Sequence, residues 1–290
     1  MKILLDTDIG CDIDDMYTLG YLLAREDAEL VGITTVTGEA DIRAKLASAM
    51  CKLADKDIPI CIGADKLCGE KFVQWETVRS ERELLDKYPH RTEFPTGAAE
   101  FMKDIIEKYP NEIILCAIGP LTNVAELFTK YSHTAKQIKT LVIMGGRFGE
   151  VDTKLWGENE WNIINDIEGA KAVFDAPCAD VRVFGVELTC KCFGDPVKVS
   201  DAFMESAVLR PAAIAARGWK NGVWFHDAVA AASLFCDDGM TFEKGNITVT
   251  DKGETVFTKD DDGRHTLMTA MDNDLFFEHY CRTVGVKREF

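Results

Sequence analysis

The chain predicts an α/β fold: a mostly parallel central sheet with helices on both faces and a small antiparallel appendage near the carboxyl end. Three observations predict it. Short apolar runs alternate with stretches of helical spacing through the first two-thirds of the chain, and that βαβα order calls for parallel strands joined by crossover helices. Glycine or Gly-Pro halts several of these runs, at Gly38, Gly63, Gly119-Pro120 and Gly145-Gly146. The last third then changes to short alternating runs, the pattern of antiparallel strands with one solvated face.

Element by element, residues 3–5 read as a buried strand and 16–24 as a helix. Strand 30–36 and helix 42–53 follow, then a short strand at 58–63. Residues 64–95 are polar and irregular apart from a helix near 80–87, and this segment, which contains Trp75, is a candidate lid. Helix 96–108 leads into strand 113–118, helix 121–128 and strand 141–144. A loop rich in Gly and Trp runs to about residue 165, before helix 166–174 and strand 181–186. Residues 201–235 read as helical, 246–250, 255–258 and 265–269 as an antiparallel appendage or edge, and 273–283 as a final helix.

Across 290 residues there is no Pro/Gly/Ser-rich linker, repeat or low-complexity tract. The expectation is one domain over 1–290, long enough to bury a sizeable core. No apolar run approaches the length of a membrane span. The first strand starts at about residue 2, which leaves no room for an export signal and points to the cytoplasm. The ten cysteines include no Cys-x-x-Cys pair; the nearest approach is Cys190-Lys191-Cys192. Cys61, Cys116 and Cys236 sit in apolar runs, so reduced thiols are expected. A net charge of −16 argues against nucleic acid and anionic membranes as partners and suits a neutral or cationic small molecule.

Chemistry concentrates at the first strand-to-helix turn. Asp6, Asp8, Asp12, Asp14 and Asp15 place five carboxylates within ten residues, on the sheet edge where open α/β folds bind ligands. Helix capping accounts for one or two of them. Five repel one another in low dielectric unless protons or a cation relieve them. No His or Cys accompanies the cluster, which disfavours zinc, and the all-oxygen donor set suits Ca²⁺. The spacing is not that of an EF-hand. A haloacid dehalogenase-type phosphatase also opens with Asp-x-Asp after a strand, but usually has Thr or Val where this chain has Gly10.

Three later segments narrow the choice. Ile118-Gly119-Pro120-Leu121-Thr122-Asn123 follows one buried strand and Met144-Gly145-Gly146 the next, on the same edge as the acidic turn. His226-Asp227 precedes an Ala-rich helix. Together with Asp8-Ile9-Gly10 and Asp14-Asp15, these resemble the inosine–uridine-preferring nucleoside hydrolase family, nearly end to end. The resemblance implies a Rossmann-like fold of that type and a homodimer or homotetramer. It also implies a Ca²⁺ site made by Asp8, Asp14, Asp15, the Ile118 carbonyl and Asp227. Asp8 would lie near the attacking water, and Asp14 and Asp15 would bind ribose hydroxyls as well as metal. Glu160-Trp161-Asn162 looks like the family's Glu-Phe-Asn tag, whose polar members grip ribose.

The chemistry agrees. Cleaving an N-glycosidic bond passes through an oxocarbenium-like ribosyl cation that nearby carboxylates stabilise. Ca²⁺ orients water and the ribose hydroxyls, Asp8 removes the water's proton, and His226 donates to the leaving base because imidazole titrates near neutrality. Trp224, Phe225, Trp156 and Trp161 are candidates for stacking on the base.

The chain also departs from the pattern. Its first loop is two residues longer than the common form, with Ile9 in place of Pro. The extra Asp12 is a candidate metal or ribose ligand. Glu39 stands where the family often has Asn and can accept from a ribose hydroxyl. Lys154 occupies the place of an expected ribose-binding Asn, and the usual His-Gly tag in 64–95 is missing. Six acids, Asp8, Asp12, Asp14, Asp15, Glu39 and Asp227, around one Ca²⁺ should repel a 5′-phosphate. A non-catalytic ribose or nucleoside binder, and a hydrolase of another N-riboside, stand beside the leading expectation of a ribonucleoside hydrolase.

Overall fold

The computed structural model describes residues 1–65 and 79–290, with side chains from residue 81 onward in the second stretch. The strands are β1 (Lys2–Thr7), β2 (Glu29–Thr35), β3 (Ile60–Ile62), β4 (Ile113–Ala117), β5 (Thr140–Met144), β6 (Val181–Phe184), β7 (Phe193–Gly194), β8 (Val223–Trp224), β9 (Met240–Val249), β10 (Thr255–Lys259) and β11 (His265–Met271). Nine of them form one sheet in the order β10-β9-β11-β6-β5-β4-β1-β2-β3, and β7 and β8 form a separate antiparallel ribbon. All pairings from β3 across to β11 are parallel.

Residue alternation along β1 explains the two layers. Ile3 and Leu5 point into one apolar cluster with helices Asp14–Ala24, Ala40–Leu53 and Asn273–Val284. Leu4 points into the other, with helices Ala98–Lys108, Thr122–Lys130 and Ile167–Asp175. Successive side chains on a strand face opposite ways, so an unbroken apolar run is what a strand covered on both faces requires.

One element sharpens the sequence expectation and two differ from it. The antiparallel runs, expected as an appendage or edge, form the edge. β11 pairs in parallel with β6 through His265 and Val181 and antiparallel with β9, so the hairpin extends the central sheet as its edge. The stretch 201–235 is not continuously helical. It divides into helices Pro196–Phe203, Arg210–Ala216 and His226–Ala232, with β8 before the last. Pro196 and Pro211 each sit in a helix's first turn, the one place where a missing N–H is tolerated. The helix expected near 80–87 is a single α turn, Arg79–Arg82, continued as a 3₁₀ turn, Glu83–Asp86. Trp75 and the core of the candidate lid lie outside the described residues.

No described helix is long and apolar enough to cross a membrane. Each described cysteine is a free thiol. The parallel register aligns Asp6 with Ala117 and Ala117 with Ile143. Asp8, Ile118 and Gly145 therefore emerge side by side at one sheet edge.

Candidate active site

The edge is fastened from beneath. Asp6 is fully buried. Its Oδ1 accepts from Thr34 Oγ1 at 2.6 Å and from Asn123 Nδ2 at 2.7 Å. Asn123 also donates to the Thr35 carbonyl at 3.0 Å and accepts from the Ala64 N–H at 2.9 Å. β1, β2 and the Gly-Pro-Leu-Thr-Asn turn are thus locked together, and burial pushes the Asp6 carboxyl up to about 7. Gly119 is needed where it stands: a Cβ there would lie 3.0 Å from both the backbone nitrogen and Oδ1 of Asp8.

Above this lock, three predicted ligands meet. Asp14 and Asp15 open helix Asp14–Ala24, and Asp227 lies in the first turn of helix His226–Ala232, which packs against it. Each of the three offers a carboxylate oxygen within 4.8 Å of the others, and all are buried. The Asp227 N–H donates to Asp14 Oδ2 at 3.4 Å, and the Thr7 hydroxyl donates to Asp15. Burial, then the charges of neighbouring carboxylates, hold all three well above the usual carboxylate range. Buried Asp8 adds its charge to each. Crowded, desolvated, all-oxygen donors of this kind fit a hard divalent cation, which would relieve the repulsion that protons otherwise relieve.

Arg43, which belongs to no recognised motif, supports the loop. It is fully buried. Nε donates to the carbonyls of Thr37 at 3.0 Å and Gly38 at 2.9 Å, and Nη1 to those of Asp8 and Ile9, the latter at 3.2 Å. Nη2 meets Cys11 Sγ at 3.7 Å. The guanidinium therefore shapes the acidic turn through its backbone while placing a positive charge beneath it. A signal was available: Ala40, Arg43, Ala44 and Ala47 share one buried helical face.

Other predicted residues lie apart from the three-carboxylate group. Asp12 is half-buried and uses Oδ1 to accept from the Ile13 N–H at 2.7 Å. Removal from water raises its carboxyl to about 6. Glu39 adopts a left-handed conformation, φ 63°, and pairs with Arg82. Its expected free charge is thus already countered. The Ile118 carbonyl accepts from Asn162 Nδ2 at 2.9 Å, and the same amide donates to the Met144 carbonyl at 3.1 Å. Asn162 is therefore a clasp between the ends of β4 and β5. Glu160 caps helix Trp161–Asn165, accepting from the N–H groups of Asn162, Ile163 and Gly146 at 2.9–3.0 Å. Burial raises its carboxyl to about 7, against the pull of those donors.

The opposite wall is aromatic. His226 Nδ1 lies 2.8 Å from Thr189 Oγ1, while its buried Nε2 has no hydrogen-bond partner among the described residues. The Trp156 ring meets the His226 ring edge-on at 4.8 Å and the Trp224 ring at 5.1 Å. Trp156, Trp161 and Trp224 are half-buried. Phe225 is fully buried and packs on Tyr17, Phe277 and Phe290, so it belongs to the core rather than to a base pocket. The expectation that His226 titrates near neutrality is not met: burial pushes it down to about 3, so the imidazole is neutral. Thr189, its partner, follows a strand in an unremarked turn and carries no sequence signal.

Residues 3–278 match the family model described as inosine-uridine preferring nucleoside hydrolase. The chain is 30% identical to uridine nucleosidase 1 of Arabidopsis thaliana, over 92% of this chain and 81% of that protein. It is 28% identical to the non-specific ribonucleoside hydrolase RihC of Klebsiella pneumoniae, over 87% and 85% respectively. Among solved structures, a plant nucleoside hydrolase superposes with a TM-score of 0.80 at 22% identity, over 98% of both chains. A purine-preferring ribonucleoside hydrolase from Gardnerella vaginalis does so with a TM-score of 0.80 at 19% identity, also over 98% of both. At those identities the two superpositions speak for the fold.

Proposed function

Because the chain belongs to the inosine-uridine preferring nucleoside hydrolase family, and is accordingly a hydrolase of N-glycosyl compounds, we propose that it cleaves ribonucleosides to free base and ribose at a Ca²⁺ site, with residues 1–290 acting as one domain. The observation that carries this reading is the buried trio Asp14, Asp15 and Asp227 beside Asp8. Those four carboxylates, with the Ile118 carbonyl, would hold the ion, and Asp12 would reach it or the ribose from the rim. When bound, the ion would orient the ribose hydroxyls and acidify a water.

Asp8 then takes the proton of the water that attacks C1′, and the bond between C1′ and the base nitrogen breaks with its electron pair leaving on the base. The carboxylates stabilise the positive charge that develops on the sugar. Asp14, Glu39, Glu160 and Asn162 border the ribose, the last two by fixing the strand ends. On the far wall, Trp224 and Trp156 flank the base. In the tautomer with its proton on Nε2, His226 would accept from the Thr189 hydroxyl at Nδ1 and donate a hydrogen bond to the departing base as a neutral imidazole. The segment around Trp156 favours a second reading, in which the same chemistry acts on another N-riboside with a differently shaped leaving group.

The test is a panel of nucleosides and other N-ribosides incubated with Ca²⁺ and assayed for reducing sugar. Release of sugar that disappears in Asp8→Ala is expected. No sugar from any riboside, with ribose or nucleoside still bound in calorimetry, would leave a non-catalytic binder and overturn the proposal.

A further inference from the structure

Residues 147–159 carry Trp156 to the aromatic wall, yet none of them is buried, and helix Thr153–Trp156 is a single turn. A turn that short does not hold itself in place. What holds the segment comes from outside it. Thr255, the first residue of β10, sets its hydroxyl between the two backbone groups of Arg147: Oγ1 accepts from the Arg147 N–H and donates to the Arg147 carbonyl, each at 2.8 Å. The Arg147 guanidinium donates in turn to the carbonyl of Gly157, the residue after Trp156, at 3.4 Å. At the other end, the Asn159 side-chain amide donates to the Lys252 carbonyl at 2.8 Å. Thr255 and Lys252 belong to one hairpin, so β10 and the turn before it grip both ends of the segment. Between the two grips, the Phe148 N–H donates to Glu187 Oε2 at 3.0 Å.

The hairpin is the firmer of the two partners. β9 pairs with β10 on one side and with β11 on the other. A Cβ added to buried Gly253, in the turn, would lie 3.3 Å from the Ile167 side chain, so the turn sits on helix Ile167–Asp175. The segment therefore follows the hairpin, and with it goes the Trp156 ring, which meets the His226 ring edge-on at 4.8 Å. Without the Thr255 hydroxyl, the Phe148 and Asn159 bonds remain. The segment would then leave its place for part of the time and not altogether. A site formed for part of the time binds its ligand more weakly by that fraction, and reacts as before once filled.

We propose that Thr255 is a positioning residue that, through Arg147, holds Trp156 against His226, so that the outermost hairpin of the sheet sets how tightly the leaving base is bound; the effect on substrate rests on the nucleoside-hydrolase reading. Thr255 touches neither the carboxylates nor the base. It acts only through the ring it keeps in place.

The experiment compares wild type, Thr255→Val, Thr255→Ser, Trp156→Ala and the double variant Thr255→Val/Trp156→Ala. Valine suits a strand as well as threonine does, so β10 is retained. The first readout needs no substrate: the NMR resonance of the His226 ring in protein with ¹³C-labelled histidine, assigned against His226→Gln. The field of the Trp156 ring displaces this resonance, so Thr255→Val should move it towards its position in Trp156→Ala, and Thr255→Ser should leave it where it is in the wild type. The second readout is cleavage of one ribonucleoside. Thr255→Val should raise KM about 3-fold or more with kcat held within about 2-fold, and Thr255→Ser should restore the wild-type KM. In the Trp156→Ala background the valine substitution should change nothing further. A His226 resonance that Thr255→Val does not move, or a KM effect of equal size with and without Trp156, would overturn the proposal. If the wild type cleaves no nucleoside, the functional reading falls on its own, and the His226 resonance alone decides whether Thr255 places the ring.

Discussion

The two walls of the site are built on different principles. The carboxylate wall, from Asp6 to Asp15 with Arg43 and Asn123, hangs from the ends of adjacent parallel strands. Arg43 fixes its backbone through four carbonyls, and Asp6 and Asn123 bolt it to β2. The aromatic wall is made of short capped turns. Asp152 caps helix Thr153–Trp156, Glu160 caps Trp161–Asn165, and the rings of Trp156, Trp224 and His226 meet edge-on. Leu155, between them, is 64% exposed. The first wall places charge through covalent register and buried hydrogen bonds. The second places surface through ring packing. A change in the first should therefore abolish the reaction or unfold the loop, while a change in the second should alter which base leaves readily.

The largest effect is expected at Asp8. Replacing it with alanine should lower kcat by about 10²–10⁴-fold with little change in the circular-dichroism spectrum. A comparable loss from Trp156→Ala, or a small one from Asp8→Ala, would erase the distinction between the walls. Next in size is Arg43→Met. It leaves the Thr37, Gly38, Asp8 and Ile9 carbonyls without their donor and the acids above without a cation, and should destabilise the fold by about 3–5 kcal/mol. Denaturant unfolding measures this. Added Ca²⁺ should restore part of the loss if the ion and the guanidinium share the task of balancing the same carboxylates.

Glu160 belongs to neither wall alone, since it caps the turn that leads to the aromatic side while gripping Gly146 at the sheet edge. Burial raises its carboxyl from 4.5 to about 7. The folded protein thus holds the proton more tightly than the unfolded chain. Its contribution to stability is present in full below pH 4.5 and is lost as pH rises through 7. Relative to Glu160→Gln, the wild type should lose up to about 3 kcal/mol across that interval. Urea midpoints of the two proteins at several pH values give the difference directly. Parallel curves would mean that the three N–H donors, not burial, govern this carboxyl.

How far the sequence disclosed the site follows the same division. The strand ends were legible because apolar runs stop at Gly38, Gly119 and Gly145, and the carboxylates that follow the first run, at Asp6 to Asp15, sit where the fold gathers ligands. Asp14, Asp15 and Asp227 were found from order and spacing across more than two hundred residues, and the structure brings them within 4.8 Å. What stayed hidden was pairing. Nothing in the chain announces that Arg82 answers Glu39, that Asn162 spends its amide on two backbone carbonyls, or that Thr189 meets His226. Each joins residues 18 or more apart and is settled by packing rather than by local pattern. The carboxyl-terminal hairpin was legible only as an appendage or edge for a related reason: alternation reveals that a strand is half-solvated, not which strand it joins.

The smallest effect, and the one that discriminates most finely, is expected at Trp156. Its ring lies between Trp224 and His226, and it is half-buried with no polar role. Trp156→Ala should leave Ca²⁺ binding unchanged and cost about 1–3 kcal/mol in kcat/KM for a nucleoside whose base stacks well. Two contributions are separable. Loss of stacking acts on all bases according to their area. Loss of the ring that braces His226 acts only where the leaving group needs a hydrogen bond. A riboside with a p-nitrophenolate leaving group requires no such donor, so Thr189→Val should spare it while slowing nucleosides, and Trp156→Ala should slow it only by the stacking lost. Thr189→Ser, which keeps the hydroxyl, should behave as wild type. If all three variants slow every substrate alike, the aromatic wall is a structural brace and base choice must be sought elsewhere in the site.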